Sequence, residues 1–340
     1  MKGNSVPILS LDSLKIGYVS GRHEKILLPA LNATANCGEL IAVIGKNGIG
    51  KSTLLRTLTG LQPSLGGEIL FGGKNIQDYS RLELAQKVGY ISTEIVKVSN
   101  MSVFDLVALG RFPYINWMGN IDNENHNVIL DALKKTGMTG FSSRFVSELS
   151  DGERQRAMIA RILAQDTGIM VMDEPTAFLD IGSKYDILHL LHLLSHENAK
   201  TIIFSTHDLN MAISQADKIW LILDNKLIEG APEDLMIAGA FDHLFDSPAV
   251  QFNSDNGTFS FLSKHKKIIY LEGEGPIRHW TEKAINRAGF SVSEIKTIPY
   301  IITPSASNKT WQLLAKHSSF EFGSIYDLVS WLGVEENQLI

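Results

Sequence analysis

Most of what this sequence predicts follows from Leu40-Ile41-Ala42-Val43-Ile44-Gly45-Lys46-Asn47-Gly48-Ile49-Gly50-Lys51-Ser52-Thr53. The first five residues are an apolar run typical of a buried strand, and a helix is expected to begin near Lys51. The glycines between them, followed by Lys and Ser, match the spacing of a P-loop, whose backbone N–H groups surround phosphate oxygens. We therefore expect a nucleoside triphosphate to be bound by Gly45, Lys46, Asn47, Gly48, Ile49, Gly50, Lys51, Ser52 and Thr53.

Two side chains of this loop have separate expected roles. Lys51 is expected to reach the β- and γ-phosphates, and the Ser52 hydroxyl suits Mg²⁺, which prefers hard oxygen ligands. The alternative is a glycine-rich turn that matches the spacing by accident. The apolar run before the loop and the helix after it favour the phosphate-binding interpretation.

Composition limits the classes of protein to which the chain can belong. Its 340 residues, of which 44% are hydrophobic and 20% charged, suit an ordinary globular protein with two domains. A formal net charge of −6 gives no overall basic field, so we expect no nucleic-acid partner. The single cysteine, Cys37, excludes an intramolecular disulfide. No apolar run approaches the ~20 residues of a membrane-spanning helix and no secretory signal is visible, so cytoplasmic residence is expected.

Short apolar runs alternate with helical patterns, which is typical of an α/β sheet. The runs cover residues 40–44, 88–92, 169–172, 201–205 and 220–223. Earlier runs at residues 8–17 and 25–35 predict an antiparallel β element, and a helical pattern predicts an inserted lobe over about residues 95–150. The predicted fold class is therefore α/β, with a P-loop NTPase domain over residues 1–240.

Residues 241–340 are predicted to form a small α+β accessory domain. Strand patterns at 266–271, 294–302 and 311–316 and helical patterns at 280–288 and 325–332 give the order β-α-β-β-α. That order is compatible with a ferredoxin-like fold. Asn256-Gly257, between runs of alternating apolar residues, predicts a hairpin near the start of this domain.

A strand that ends in two carboxylates predicts the second part of the site. It reads Ile169-Met170-Val171-Met172-Asp173-Glu174. A carboxylate at a strand end beside a P-loop can hold Mg²⁺ directly or through water, and we assign that role to Asp173. We expect Glu174, which points elsewhere, to orient and partly deprotonate the water that attacks the γ-phosphate. The alternative is a pair of solvated acids at the end of a strand.

A second helix start offers groups that suit an anion. In Leu149-Ser150-Asp151-Gly152-Glu153-Arg154-Gln155-Arg156, Ser150 supplies a hydroxyl and Gly152 a backbone N–H at the beginning of a predicted helix. One P-loop needs only one such helix, so a second suggests that each nucleotide is held between two copies of the chain. The alternative is a capping box formed by Ser150 and Glu153, and the spacing fits both interpretations.

Together these residues resemble the nucleotide-binding subunits of ABC transporters over about residues 8–236. Leu149-Ser150-Asp151-Gly152-Glu153 is similar to the signature sequence of that family, with Asp151 where glycine is common. Three further segments resemble, in order, its Walker B run, its D-loop and its switch-histidine segment: Asp173-Glu174-Pro175-Thr176, Ala177-Phe178-Leu179-Asp180 and Ser205-Thr206-His207-Asp208. Tyr18 stands where the family stacks an aromatic ring on adenine.

The resemblance implies ATP hydrolysis with ATP and Mg²⁺ as the ligands of the site. It assigns Lys51 and Ser52 to the phosphates and Mg²⁺, Glu174 to the attacking water and His207 to contact with the γ-phosphate. The resemblance also implies that the predicted P-loop NTPase domain has the fold of an ABC ATPase.

The resemblance also implies partners and a location. Ser150 and Gly152 would close over ATP bound to a second ATPase subunit, in a homodimer, and Asp180 would communicate across that dimer. The other implied partners are a transmembrane permease and, indirectly, an extracytoplasmic substrate-binding protein, with the chain peripheral at the cytoplasmic face of the cell membrane.

The stretch at 101–114 is similar to the subgroup that serves iron-siderophore, haem and cobalamin importers. The alternative is an ATP-dependent regulatory or assembly protein of the same superfamily that is not coupled to transport.

One position departs from the family pattern. Thr93 stands where the family has a glutamine that contacts Mg²⁺. A threonine hydroxyl is shorter and offers no amide, so we expect Thr93 to contribute altered contacts to the Mg²⁺ site.

A group of histidines is the last candidate. His189, His192 and His196 fall near one face of a Leu-rich helix, a spacing that suits a transition metal. A solvated polar face is the preferred interpretation, because no carboxylate or cysteine cluster completes a site.

Overall fold

The computed structural model describes residues 6–21, 23–93, 100–115, 121–242, 244, 250–253, 257–261, 267–293, 300–307, 309–315 and 318–338. The chain forms two compact units. The N-terminal unit comprises Met1–Asp246 with Phe252–Thr258, and the C-terminal unit comprises Ser247–Gln251 with Phe259–Ile340. None of the helices in the described parts of the chain has the length and apolar character that crossing a bilayer requires.

The N-terminal unit combines strands and helices in an alternating order. In chain order they are β1 (Leu9–Ser20), β2 (His23–Ala35), β3 (Leu40–Gly45), α1 (Lys51–Leu58), β4 (Gly66–Phe71), β5 (Lys74–Asn75), α2 (Arg81–Ala85), β6 (Val88–Ile91), α3 (Val103–Ala108), α4 (Asn123–Lys135), α5 (Asp151–Ala164), β7 (Ile169–Met172), α6 (Ile181–His196), β8 (Thr201–Ser205), α7 (Leu209–Gln215), β9 (Lys218–Leu223), β10 (Lys226–Gly230) and α8 (Pro232–Ile237). This order confirms the predicted α/β class.

A six-stranded sheet in the order β10-β9-β3-β8-β7-β6 carries the site. Strands β9, β3, β8, β7 and β6 are parallel to their neighbours, and only β10 pairs in the antiparallel sense. Every residue of β3, β7 and β8 is buried, which explains why these strands read as continuous apolar runs rather than alternating ones. Because the strands are parallel, the segments that follow β3, β7 and β8 all leave the sheet at the same edge.

A second sheet, in the order β2-β1-β4-β5, is antiparallel. Residues of both sheets share one hydrophobic core with Leu54, Leu55 and Leu58 of α1. The helix that follows the P-loop is therefore held between the two sheets, which fixes the loop at its start.

The lobe predicted over about residues 95–150 contains α3 and α4, which contact each other and also α5, just beyond that range. A short 3-10 helix at Leu109–Tyr114 joins it, and the guanidinium of Arg111 is buried there. Arg111 donates hydrogen bonds to Asn125 Oδ1 at 2.7 Å and to the Ala164 carbonyl at 2.8 Å. One buried cation thus ties α4 and α5 to the 3-10 helix.

The remaining elements follow in chain order. They are β11 (Val250–Asn253), β12 (Thr258–Phe261), β13 (Lys267–Leu271), α9 (Gly275–Arg287), β14 (Phe290–Ser293), β15 (Tyr300–Ser305), β16 (Thr310–Ala315), β17 (Ser318–Phe322) and α10 (Ile325–Gln338). Strands β11 and β12 pair with each other, and Gly257 just before β12 has a φ of 66°. Asn256, the other residue of the predicted turn, lies outside the described residues.

The C-terminal unit has a five-stranded sheet in the order β14-β13-β15-β16-β17. Strand β13 is parallel to both β14 and β15, whereas β15, β16 and β17 are antiparallel. Its core includes Ile269, Ile302 and Leu313 from the sheet and Ile285 and Leu328 from the helices.

This arrangement corrects the expected ferredoxin-like fold. The order from β13 to α10 is β-α-β-β-β-β-α, not β-α-β-β-α, because β14 and β17 were missing from the prediction. Both are short, with sequences FSVS and SSFEF. Apolar and polar residues do alternate in them, as in a half-buried strand, but the alternation extends over only four or five residues. Residues 294–299 of the strand predicted over 294–302 lie outside the described residues.

Gly110 provides a test of the packing in the helical lobe. A Cβ at this position would lie 2.1 Å from the Arg161 carbonyl oxygen, a backbone atom of α5 that cannot move without displacing the helix. We expect Gly110→Ala to lower the free energy of unfolding by about 1–3 kcal/mol, as measured by urea denaturation. Gly140→Ala is the matched control, because a Cβ at Gly140 meets nothing within 4 Å. Equal unfolding free energies for the two variants would contradict the packing of α5 against the 3-10 helix.

Candidate functional site

The P-loop runs from the end of β3 to the start of α1. Gly48 and Gly50 have φ values of 75° and 114°, in the left-handed region where glycine is strongly favoured. A Cβ at Gly45 would lie 2.9 Å from the Ile222 carbonyl oxygen, so a larger residue would push the loop off the sheet. The N–H of Leu54 donates to the Gly50 carbonyl at 2.8 Å, which starts the helix directly after the loop.

Lys51 is folded back onto its own loop. Its side chain is buried, and Nζ donates to the carbonyls of Gly45 at 2.8 Å and Lys46 at 3.3 Å. Burial lowers the pKa of the Lys51 ammonium, and the carboxylates of Glu174 and Asp173 oppose that change. The loop therefore presents a desolvated cation where phosphate oxygens are expected.

Asp173 and Glu174 leave the end of β7 in different directions. Asp173 is buried, and its N–H still donates to the Ile91 carbonyl at 2.9 Å, as in the sheet. Glu174 turns away, with a φ of 52° that is uncommon for a non-glycine residue. The Ser205 hydroxyl contacts both residues: it donates to Asp173 Oδ1 at 2.7 Å and accepts from the Glu174 N–H at 2.9 Å.

Glu174 and His207 form a close pair. Glu174 Oε1 lies 2.6 Å from His207 Nε2, and His207 Nδ1 lies 3.5 Å from Lys51 Nζ. Burial raises the pKa of the Glu174 carboxyl above its usual range, while His207 and Lys51 oppose the rise and Asp173 adds to it. A raised pKa makes the Glu174 carboxylate a stronger proton acceptor than an ordinary glutamate.

One pocket connects the sheet edge with the start of α5. It is lined by Thr93, Asp173 and Glu174 from the ends of β6 and β7, and by Asp151 and Arg154 from α5. Thr93 is exposed at its rim. The structure thus brings the residue that replaces the family glutamine to the same pocket as both carboxylates.

The residues present fit Mg²⁺. Ser52 places an exposed hydroxyl on the first turn of α1, and the Asp173 carboxylate lines the pocket at the same edge of the sheet. Both are hard oxygen donors, which Mg²⁺ prefers, and a site of this kind leaves its remaining ligand positions to water and phosphate oxygens.

Tyr18 contacts the helix that follows the P-loop. Its hydroxyl lies 2.7 Å from Thr53 Oγ1, while half of the residue surface remains exposed. The hydrogen bond holds the Tyr18 side chain next to α1 while the residue stays half exposed.

Ser150, Gly152 and Asp180 form a separate group. Ser150 caps α5 by accepting from the Glu153 N–H at 3.3 Å, and Asp180 caps α6 by accepting from the Ser183 N–H at 3.0 Å. A Cβ on Gly152 would lie 3.0 Å from Ser183 Oγ, so the two helix starts are adjacent. Hydrogen bonds from the Ser183 side chain and N–H lower the pKa of Asp180. In the described structure, the contacts of these residues are with α5 and α6 rather than with the P-loop.

The histidines of α6 do not form a metal site in the described part of the chain. The rings of His192 and His196 stack at 4.1 Å, and His196 Nε2 lies 3.1 Å from Asp217 Oδ1. His189 is exposed. Among the residues that the structure describes, no group of three or more His, Cys, Asp or Glu side chains could hold a metal ion.

Ser205 and Arg154 are the site residues that sequence reasoning missed. Ser205 lies within the segment that resembles the switch-histidine motif, but no spacing rule links a serine at the end of one strand with two residues at the end of the next. Arg154 lies within the segment that resembles the signature sequence, and only the packing of α5 brings it to the pocket of Asp173.

The fold and the site together define a P-loop NTPase: a phosphate-binding loop between a buried parallel strand and a helix, with carboxylates at the end of another strand of the same sheet, one strand removed. The family model for ABC transporters matches residues 28–177, and the model for the iron ABC transporter C-terminal domain matches residues 265–333. The chain belongs to the ATP-binding proteins of ABC transporters, and as a member of that family it is an ATPase. The resemblance noted from the motifs is thereby confirmed.

Two curated relatives illustrate the similarity. An uncharacterized ABC transporter ATP-binding protein of Methanocaldococcus jannaschii is 34% identical over 272 residues, which cover 79% of this chain and 92% of the relative. The ferric enterobactin transport ATP-binding protein of Escherichia coli is 37% identical over 242 residues, which cover 71% of this chain and 88% of the relative.

Two solved structures share the fold. An inward-facing structure assigned to the metal-chelate type of ABC transporter has a TM-score of 0.62 at 27% identity, covering 75% of this chain and 95% of that one. A dimeric bacterial ABC transporter cassette has a TM-score of 0.57 at 27% identity, covering 66% of this chain and 98% of that one. Cassettes of this family work as dimers and with transmembrane permease components.

Proposed function

We propose that the chain hydrolyses ATP as a nucleotide-sandwich homodimer and thereby drives a permease that imports an iron-siderophore, haem or cobalamin. The placement of Lys51, Glu174 and His207 at one edge of the parallel sheet carries the catalytic part of this proposal, because it puts a cation, a base and a hydrogen-bonding ring beside the P-loop. The chain is peripheral at the cytoplasmic face of the cell membrane, and an extracytoplasmic substrate-binding protein delivers the substrate to the permease. No nucleic acid takes part.

The P-loop holds the phosphates of ATP. The N–H groups from Gly45 to Thr53 and the N-terminus of α1 favour negative charge. Lys51 exchanges its bonds to the Gly45 and Lys46 carbonyls for bonds to the β- and γ-phosphates. Tyr18 stacks on the adenine ring.

Ser52 and Asp173 would hold Mg²⁺, with the Thr93 hydroxyl beside them in place of the family glutamine. Mg²⁺ bound there would neutralise charge on the phosphate oxygens. The burial of Asp173 and its hydrogen bond from Ser205 keep that carboxylate in one orientation.

Glu174 accepts a proton from the water that attacks the γ-phosphate. Its carboxyl lies within hydrogen-bonding distance of His207, which keeps it directed toward the P-loop. The pKa of this carboxyl, which burial raises, makes it a stronger base than an ordinary glutamate. His207 contacts the γ-phosphate from the same side.

The second group of residues completes the site of a partner subunit. Ser150 and Asp180 are exposed at adjacent helix starts. The Ser150 hydroxyl accepts from the Glu153 N–H, and a hydroxyl in that position still has a proton to donate to a phosphate oxygen. We infer that Ser150 and Gly152 close over ATP bound to the partner and that Asp180 links the two sites.

The import of an iron chelate is supported by the C-terminal match and by the relatives. The C-terminal unit is similar to the iron ABC transporter C-terminal domain, and the Escherichia coli relative serves ferric enterobactin transport. These similarities favour an iron chelate within the proposed substrate class.

The role of Glu174 can be tested with one substitution. We expect Glu174→Gln to lower kcat for ATP hydrolysis by about 100-fold or more, because the amide cannot accept the proton of water. Binding of ATP is expected to change by less than about 3-fold, since the P-loop is intact. Glu233→Gln, in the exposed first turn of α8, is the control that keeps full activity. An ATPase rate that survives Glu174→Gln would assign the base to another group.

Two substitutions of Tyr18 distinguish the contribution of ring stacking to ATP binding from that of the hydroxyl hydrogen bond. We expect Tyr18→Ala to weaken ATP binding by about 5- to 150-fold, the range of roughly 1–3 kcal/mol for stacking of a base on an aromatic ring. Tyr18→Phe loses the contact with Thr53 but keeps the ring, so its dissociation constant, measured by titration calorimetry, is expected to stay close to that of the wild type. Equal weakening by both variants would place the importance of Tyr18 in the hydroxyl.

The transport function is tested by what co-purifies with the chain. We expect a polytopic permease at matching stoichiometry after gentle detergent extraction of native membranes, identified by mass spectrometry. Proteoliposomes that contain this complex are expected to take up a radiolabelled ferric siderophore when ATP is supplied, and to stop doing so with Glu174→Gln. Unlabelled haem and cobalamin are added as competitors, to see whether either one reduces uptake of the ferric siderophore. Recovery of soluble partners alone, from a preparation that retains other membrane complexes, would support the regulatory or assembly function instead.

A further inference from the structure

Ser205 lies in the segment that resembles the switch-histidine motif, but the resemblance gives this residue no role. It is the last residue of β8, which lies between β3 and β7 in the sheet, and it is completely buried. Its hydroxyl is therefore buried at the edge of the sheet where β3 and β7 also end, next to the start of the P-loop and the two carboxylates.

One oxygen atom of Ser205 contacts two consecutive residues of the site. It donates its only proton to Asp173 Oδ1 at 2.7 Å and accepts from the Glu174 N–H at 2.9 Å. A hydrogen bond to a carboxylate is stronger than one between neutral groups, and both partners are removed from bulk water. The two hydrogen bonds thus fix the Ser205 hydroxyl, and through it they restrain the Asp173 carboxylate and the Glu174 backbone relative to each other.

The bond to Glu174 acts on a residue with an unusual backbone. Glu174 has a φ of 52°, a conformation that persists in a non-glycine residue only when its surroundings fix it. Two hydrogen bonds do so: the one from its N–H to Ser205, and the one from the Ala177 N–H to its carbonyl at 3.0 Å. This conformation directs the side chain of Glu174 away from that of Asp173 and toward His207 Nε2.

We propose that Ser205 is a positioning residue for ATP hydrolysis, which fixes the orientation of the Asp173 carboxylate and the backbone of Glu174 through one shared hydroxyl. It links the side chain expected to hold Mg²⁺ with the side chain expected to take a proton from water. The proposal rests on ATP hydrolysis at this site and on the proposed roles of Asp173 and Glu174, but it does not depend on transport or on the imported substrate.

Thr201 offers a matched control in the same strand. It is the first residue of β8 and is also completely buried. Its hydroxyl likewise makes two hydrogen bonds, donating to the Asn36 carbonyl at 3.0 Å and accepting from the Gly38 N–H at 3.1 Å. Both bonds go to the backbone before β3, so removing them disturbs the strand without touching Asp173 or Glu174.

The test compares Ser205→Ala, Ser205→Thr and Thr201→Val in the full-length chain. For each variant, kcat and KM for ATP, the melting temperature, and the Mg²⁺ concentration that half-saturates binding of a non-hydrolysable fluorescent ATP analogue are measured. Loss of a residue that orients catalytic or metal-binding side chains typically costs about 10- to 100-fold. We therefore expect Ser205→Ala to lower kcat and raise the half-saturating Mg²⁺ concentration within that range, with little change in KM for ATP.

The other two variants decide whether the effect is specific. Ser205→Thr keeps a hydroxyl and is expected to restore most of kcat and the wild-type Mg²⁺ requirement. Thr201→Val is expected to lower the melting temperature about as much as Ser205→Ala while leaving kcat and the Mg²⁺ requirement unchanged.

Two results would overturn the proposal. One is a kcat and Mg²⁺ requirement for Ser205→Ala equal to those of Thr201→Val, and the other is a loss of kcat fully matched by loss of analogue binding. If Ser205→Ala does not fold, Ser205→Cys replaces it, because the thiol has similar size but is a weaker hydrogen-bonding group. If kcat of Ser205→Cys then equals that of the wild type, the proposal is contradicted. An inactive wild-type chain would instead contradict the proposed function.

Discussion

The parallel pairing of β3, β8 and β7 is the constraint on which the site depends. In this register Val43 pairs with Ser205, and Phe204 pairs with Met172. The residues that follow these pairs therefore leave the sheet side by side, although the P-loop lies more than a hundred positions before both of the other segments in the sequence. The P-loop, the two carboxylates and His207 meet because three buried strands end together, and a shift of one residue in either pairing would separate them.

The charged side chains at this edge of the sheet lie in a partly buried environment that disfavours their ionised forms. Burial raises the pKa of Glu174 and lowers that of Lys51, so desolvation pushes both groups toward their neutral forms. Their mutual attraction, together with His207, acts in the opposite direction. The site is thus a balance between the cost of removing charges from water and the attraction among them, and neither carboxylate can be replaced without altering the state of the others.

The sequence is most informative where a pattern is local. The P-loop spacing, the apolar runs of β3, β7 and β8, and the acidic end of β7 are all contiguous in the chain, and the α/β class followed from them. The contacts of Ser205 could not be predicted in this way, since they join the ends of two strands that a helix separates. The same holds for Arg111, whose buried guanidinium depends on the packing of two helices. In the C-terminal unit, β14 and β17 alternate apolar and polar residues over only four or five positions, too short a pattern to stand out, and β13 and β16 supply their hydrogen-bonding partners.

The hydrogen bonds of Lys51 to its own loop have a thermodynamic consequence. An ammonium that already donates to the Gly45 and Lys46 carbonyls does not gain whole new bonds when it turns to a phosphate; it trades existing ones. The net gain in affinity is then the difference between two sets of bonds rather than their sum. Such an exchange favours reversible binding, since the lysine can return to its carbonyl partners when the product nucleotide dissociates. The smaller net binding free energy suits an ATPase that must release its product in every cycle.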